Sequence, residues 1–561
     1  MKLFLLFCAA VVLQAQQADL LLINGKVITV DARDSIAEAV AVAKGKIVAV
    51  GTSAAIKMLA APGAKIVDLK GRTATPGLID THIHFSETGE LFDVELSGTD
   101  IRKIDDILDR VKAKAATLKP GEWVRGRGWD EGKLAERRYV TAADLDKVAP
   151  NNPVYLTQTT GHYGAANSKA LELADINNAT KDPPAGTIDR DKNGKATGVL
   201  KESAAGLVTR RIPRHTRAEE LAGLKRMIAD ANKEGMTGAK NPGIAPADWS
   251  MYEELLGKNE LTVRLFALWQ GGRTLESAKA AIGNVKSHKS GDILISGGIK
   301  LYMDGSGGAR TAWMYDDFNK GFKDKEAGNK GYPTTEPELY RRMVRAIHRA
   351  GVHIGTHAIG DRAIDWVVDT YAKVLTEKPT GDLRHAIIHC NTPTDHAIDE
   401  MARLQKVYKA GYPEAQSTFA WWLGDNYAGN LGADRVGRLT PFQTFLKKGM
   451  IWGGGSDFHV TPFPARYGLW ASLDRKTLQG VYGERPFGTS EDVDIRTALK
   501  SYTIWAAHQL FLEKSVGSIE VGKQADIAVW DKDIYTMPTA EIPNLKCEMT
   551  VFGGKIVYQS N

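Results

Sequence analysis

Cysteine is almost missing from this chain of 561 residues: there are three, Cys8, Cys390 and Cys547. Cys8 falls within an apolar run at the N-terminus, which leaves two for the folded protein, so no disulfide framework holds it together. Basic clusters are lacking too. The formal net charge is +6 and the lysines and arginines form no long run, which removes the electrostatic footprint of a nucleic-acid binder. The apolar run over residues 3–13, eleven residues, is well short of the ~20 that a membrane-spanning helix needs. Lys2 stands before it and small or polar residues follow from Ala15 to Ala18, the layout of a secretory leader. Residues 1–18 are therefore expected to be removed on export to the periplasm or the medium, leaving no stable membrane anchor. Cys8 lies too deep in the run to serve as a lipid-attachment site.

What is present divides into ends and middle. From Asp19 the sequence "ADLLLINGKVITVDARDSIAEAVAVAKGKIVAVG" consists of short β-rich runs broken by Asn-Gly, Asp-Ala and Lys-Gly turn signals, and "GSIEVGKQADIAVWDKD" and "MTVFGGKIVYQ" near the C-terminus have the same texture. Residues 19–75 and 515–561 are expected to form one small composite β-sandwich, since neither end is stable alone. Between them, apolar strand-like runs alternate with amphipathic helical stretches, the pattern of a parallel α/β fold. Eight candidate strands, "GLIDTHIHF", "MTGAKN", "LTVRLFALW", "GGIKLYMDG", "VHIGTHAIG", "HAIIHCN", "PEAQSTF" and "MIWGGGSD", supply a (β/α)8 TIM barrel over residues 76–514, with its chemistry at the C-terminal strand ends. The first two candidates lie much farther apart than one βα unit requires. An insertion over residues 88–217 is expected there, and its "GEWVRGRGWDEG" and "TQTTGHYGAANSKALELA" stretches suit a lid over a substrate.

The first strand carries the chemistry. In "GLIDTHIHF", His82 and His84 are two residues apart, so on a strand they project to one side while Ile83 faces the other. A single histidine in an apolar run is more often a hydrogen-bonded core residue. A same-face pair is a two-pronged chelate for a zinc-like ion. His357, His389 and Asp457 each stand near the C-terminal end of a different candidate strand. His353 and His385, farther from those ends, read as satisfied core residues. Lys300, in "GGIKLYMDG", is costly to bury as a cation and burial lowers its pKa. A neutral amine there can take up carbon dioxide as a carbamate, giving N6-carboxylysine, an anionic ligand able to bridge two metals. Pairing with Asp304, or snorkelling to solvent, are the alternatives.

Together, "PGLIDTHIHF", "IKLYMDGSGGARTAW", "THAIGDRAID", "GSD" and "GSIEVGKQADIAVWD" resemble the amidohydrolase superfamily, and within it the amidohydrolase family 3 group of N-substituted formamide deformylase-like hydrolases. The resemblance spans nearly all of the mature chain, and "TGHYGAANSKAL" looks like that group's insert motif. It implies a metal-bearing barrel beside a composite sandwich, with His82 and His84 as first-strand ligands. Lys300, His357, His389 and Asp457 match the ligands of the fourth, fifth, sixth and eighth strands. Two departures stand out: Ile388 precedes His389 where a glutamate is usual, and Ser417 follows Gln416 where proline is frequent. Both are expected on the substrate side of the site.

The chemistry so implied is attack of an activated water on a C–N bond, linear or cyclic. One or two divalent ions, zinc foremost, lower the pKa of bound water and polarise the carbonyl. Asp457 then accepts the water's proton and returns it to the leaving nitrogen, and His162 in the insertion contacts the oxyanion or the substrate. Hydrolytic deamination of an amidine-type carbon uses the same water. A metal-binding barrel without catalysis is disfavoured, because the proton acceptor and every ligand are present together. The expected partner is a small molecule, with homo-oligomerisation left open.

Overall fold

In the computed structural model, which describes residues 17–86, 88–318 and 328–560, the eight apolar segments make one parallel sheet. Its strands are β1 (Leu78–Asp80), β2 (Met236–Ile244), β3 (Arg264–Gln270), β4 (Leu294–Tyr302), β5 (His353–Ala358), β6 (Ala386–His389), β7 (Tyr412–Ala415) and β8 (Gly453–Gly454). They are hydrogen-bonded in sequence order from β1 to β8. The two edges also meet. Thr81 N–H donates to the Gly454 carbonyl at 2.9 Å, and Asp457 N–H to the His82 carbonyl at 2.7 Å. A buried carboxylate fastens this seam: Asp80 accepts His82 N–H at 2.8 Å, and Ser456 N–H and Oγ–H at 3.0 and 2.7 Å. Burial pushes the Asp80 carboxyl up to about 8.

Barrel strands are buried on both faces, which is why they read as continuous apolar runs. The covering helices show the other period. After β4, helix Pro337–Arg349 begins with proline at its first turn and buries Tyr340, Met343, Val344 and Ile347, spaced three and four apart. After β5, helix Asp361–Glu377 buries Ile364, Val367, Val368, Tyr371 and Val374 in the same way. Charge is present inside the barrel as well. Lys240 on β2 donates to Glu414 on β7 and, at 2.9 Å, to Nε2 of His353 on β5, whose other ring nitrogen donates to the Leu383 carbonyl. His385 accepts Ile354 N–H at 3.2 Å and meets His348 at 2.9 Å. Both are hydrogen-bonded core residues, as the sequence indicates.

The chain ends build two further sheets. One has the strand order Lys46–Gly51, Ala39–Ala43, Ala18–Ile23, Ala60–Asp68. The other runs Lys555–Gln559, Cys547–Phe552, Ile527–Trp530, Thr73–Pro76, Lys26–Ile28, Ile36–Ala37. They share a core that joins Leu22, Val40 and Val42 to Ile527, Val529 and Val551. Thr73–Pro76 leads through Gly77 into β1, and a Cβ on Gly77 would lie 2.2 Å from Thr237 Oγ1 on β2. A buried bidentate pair, Arg264 on β3 to Asp526 at 2.7 and 3.0 Å, ties barrel to terminal sheet. The expected leader falls on residues outside those described, apart from Gln17 and Ala18. Ala18 is buried in its strand, so the sheet starts one residue before the expected boundary at 19. No described helix is long and apolar enough to cross a membrane.

Between β1 and β2 lies a sheet of six strands, ordered Gly186–Arg190, Ala196–Glu202, Tyr163–Ala166, Val154–Gln158, Val124–Trp129, Val94–Glu95. It has its own core around Trp129, Leu156 and Tyr163. Its loop after Gln158 reaches the barrel mouth: Thr159 Oγ1 donates to the Val460 carbonyl at 2.8 Å.

Candidate active site

β1 ends at Asp80, so His82 and His84 lie just past it. The chain there stays pinned: Ile83 N–H donates to the Lys240 carbonyl at 3.1 Å and His84 N–H to that of Phe458 at 3.0 Å. The two imidazoles do project together. Their Nε2 atoms lie 3.2 Å (His82) and 3.1 Å (His84) from the same oxygen, Oδ1 of Asp457. One donor atom from each of the three residues falls within 4.8 Å of the others, a cluster of two imidazoles and a carboxylate suited to a zinc-like ion. Asp457 and His389 both have left-handed backbones, with φ of 55° and 72°, conformations that non-glycine residues hold at a cost and that gather at functional sites.

His389 and His357 face the same centre. Their ring centroids are 4.5 Å apart, and His389 is 5.0 Å from His82. Each is held by its outer nitrogen: His389 Nδ1–H donates to Gln416 Oε1 at 2.8 Å, and His357 Nε2–H to the Gly305 carbonyl at 2.9 Å. That leaves His389 Nε2 and His357 Nδ1 with free lone pairs. Burial holds His82 and His357 well below the usual imidazole range and, against the pull of Asp457, brings His389 down to about 4. Neutral imidazole is the form that ligates metal. Burial acts the other way on Asp457, but the facing His82 and the hydrogen bonds from His82 and His84 outweigh it and keep the carboxyl well below its ordinary value.

Lys300 lies at the end of β4 and is buried, and burial brings its amine down to about 7. It is not paired with Asp304. That carboxylate accepts the backbone N–H groups of Trp313, Ile359 and Gly360 at 2.8 to 3.0 Å. The Lys300 amine instead sits 5.0 Å from the centre of the Tyr302 ring.

His82, His84, Lys300, His357, His389 and Asp457 line one cavity of about 590 Å³. The six-stranded sheet contributes Arg127 and Glu202 from its strands and His162 from the loop after Gln158 to its wall, and the barrel adds Gln270, Arg273, Tyr302 and His459. His162 is 5.1 Å from His357, ring to ring, and donates Nδ1–H to Glu202 Oε1 at 2.9 Å. Glu202 also accepts from Thr311 Oγ1 at 2.7 Å. Burial alone would lower the His162 pKa, but the Glu202 carboxylate overrides it and raises it.

Sequence reasoning missed Gln416, Glu202, Tyr302, Gln270 and Arg273. Position at a strand end points to Tyr302 and Gln270; nothing local points to Glu202. One expectation is corrected. Neither Ile388 nor Ser417 lines the cavity. Ile388 belongs to an apolar cluster with Ile79, Phe266 and Leu268, and Ser417 Oγ–H donates to the Gly468 carbonyl at 2.7 Å. Successive strand residues face opposite ways, so adjacency to a ligand in sequence does not place a residue beside it in space.

Against known proteins, residues 65–558 match the model described as "Amidohydrolase family". The chain is 30% identical over 573 residues to N-substituted formamide deformylase of Arthrobacter pascens, covering 97% of this chain and 99% of that protein. It is 29% identical over 568 residues to Protein LONG AFTER FAR-RED 3 of Arabidopsis thaliana, covering 96% and 92%. Among solved structures, an uncharacterized metal-dependent hydrolase from Pyrococcus horikoshii OT3 superposes with a TM-score of 0.71 at 24% identity, covering 93% of this chain and 99% of that one. That likeness establishes the barrel fold.

Proposed function

We propose that this chain, which belongs to the amidohydrolase family, is a secreted metal-dependent hydrolase that cleaves an amide-type C–N bond, with N-substituted formamides as its leading substrate class. The observation that carries the reading is the meeting of His82, His84 and Asp457 at one point of a cavity at the strand ends. The substrate class is drawn from the relative named for formamide deformylation, which aligns over nearly its whole length.

His82, His84 and Asp457, with His357, His389 and Lys300 as further donors, would hold one or two divalent ions, zinc foremost, which would supply Lewis acidity and acidify water. Lys300, with an amine pKa brought down to about 7, has a large unprotonated fraction. Its nitrogen adds to the carbon of carbon dioxide and releases a proton to solvent, forming N6-carboxylysine. Asp457 accepts the proton of the attacking water and delivers it to the departing nitrogen. His162, oriented by Glu202, donates toward the carbonyl oxygen as charge builds on it.

The test is product analysis of zinc-loaded protein on a panel of formamides, lactams and amidines. Formate and amine in equal amounts are expected from the formamides. Ammonia from amidines, without formate, would move the activity to deamination, and no turnover at full metal occupancy would make the barrel a metal-binding one. Export is checked separately: the mass of protein recovered outside the cytoplasm should lack residues upstream of the Ala15–Ala18 region, and retention of Met1 or Lys2 contradicts cleavage.

A further inference from the structure

A formamide needs few charges around it, yet most of the residues lining this cavity are polar or charged, with Val460 and the Tyr302 ring as its larger apolar side chains. The charges near the centre are mostly matched. His162 faces Glu202 at 2.9 Å, Arg127 faces Glu95 at 3.2 Å, and Asp457 is held by His82 and His84. Arg273 is different. Among the described residues its guanidinium makes no hydrogen bond or ion pair; its charge helps hold the Glu202 carboxyl below its ordinary value from beyond contact distance, and it stands 5.9 Å, Cζ to centroid, from the Tyr302 ring. Arg273 is exposed, as is Gln270. Two features set it apart from an ordinary solvated surface arginine: it lines the same cavity as the histidines, and its loop is built to stay in place. Gly271 N–H donates to the Lys300 carbonyl at 2.9 Å, and Ser277 Oγ–H donates to the Gly271 carbonyl at 2.7 Å. Gly272 takes a left-handed φ of 63°, and a Cβ there would lie 2.4 Å from Ser277 Oγ.

The position is informative too. The Tyr302 ring that Arg273 approaches is also 5.0 Å from the Lys300 amine and 5.8 Å, ring to ring, from His357. One aromatic ring is thus a common neighbour of the Arg273 guanidinium and of the metal-side groups. Gln270, on the same wall, adds a neutral donor. A planar guanidinium is matched by a carboxylate, which it can bind through two parallel hydrogen bonds.

We infer that Arg273, with Gln270, binds a carboxylate on the substrate, so that the amide hydrolysed is an acid-bearing one whose anionic end lies near Tyr302, on the wall that also carries Lys300 and His357. This rests on the hydrolase reading above and narrows its substrate class. Two measurements on zinc-loaded protein test it. In steady-state assays, wild type should prefer N-formylglycine to its primary amide by about tenfold or more in kcat/KM, the scale of one charge-assisted hydrogen bond. Arg273→Gln should collapse that ratio toward one, and Arg273→Lys should restore part of it. In calorimetry, glutarate should bind Arg273→Gln about tenfold more weakly than wild type. Equal preference and equal glutarate affinity in wild type and Arg273→Gln would overturn the inference while leaving formate release, and the hydrolase reading, intact. If neither substrate yields formate, the broader panel decides the hydrolase reading, and equal glutarate affinity in wild type and Arg273→Gln overturns the anion site.

Discussion

Asp457→Asn is expected to keep most of its metal and to lose two to four orders of magnitude in kcat, the range associated with removing a general base. The substitution preserves shape and one carbonyl oxygen. It removes the charge on which His82 and His84 converge at 3.2 and 3.1 Å, and with it the group that can take a proton from water. Two imidazoles remain to hold the ion, so elemental analysis should show little change while the rate falls. A variant within tenfold of wild type would move the base elsewhere, His162 being the next group to examine.

Lys300→Ala should fail in another way, losing metal and activity together. Lys300 is fully buried and its amine has no carboxylate partner to explain its place in β4. A carbamate on that nitrogen supplies anionic oxygens that alanine cannot, and added short carboxylic acids should return part of both metal and rate. Full activity in Lys300→Ala, with a plain ammonium at Lys300 in a crystal structure of the wild type, would end the carbamate proposal. It would leave a one-ion site built on His82, His84 and Asp457.

The barrel was legible because its strands are apolar on both faces and recur with helices between them. The eighth was harder to bound, since the paired part of "MIWGGGSD" is only Gly453–Gly454. The ligand-type residues were legible for a simple reason: each stands at a strand end, where side chains open into the mouth of the barrel. Their supports were not. Glu202 reaches His162 from 40 residues away, Gln416 reaches His389 from 27, and Asp80 clasps Ser456 across 376. Such pairings are made by tertiary closure and leave no periodic trace. The buried pair of Lys240 and Glu414 was hidden likewise, because each residue looks costly until its partner is in place.

The sheet shared by the two chain ends has a consequence for biosynthesis. Strand Thr73–Pro76, which leads into the stave bearing His82, is made early, but its antiparallel neighbour Ile527–Trp530 is among the last parts to leave the ribosome. Until then one edge of the early strand has no partner, and Arg264 waits inside the barrel wall for Asp526. Order of synthesis is thus not order of assembly. The composite sheet of the nascent chain stays incomplete for almost the whole of translation. A premature stop near the C-terminus removes the neighbour that seats the first metal-binding stave, and so strikes the catalytic centre without deleting any residue of it.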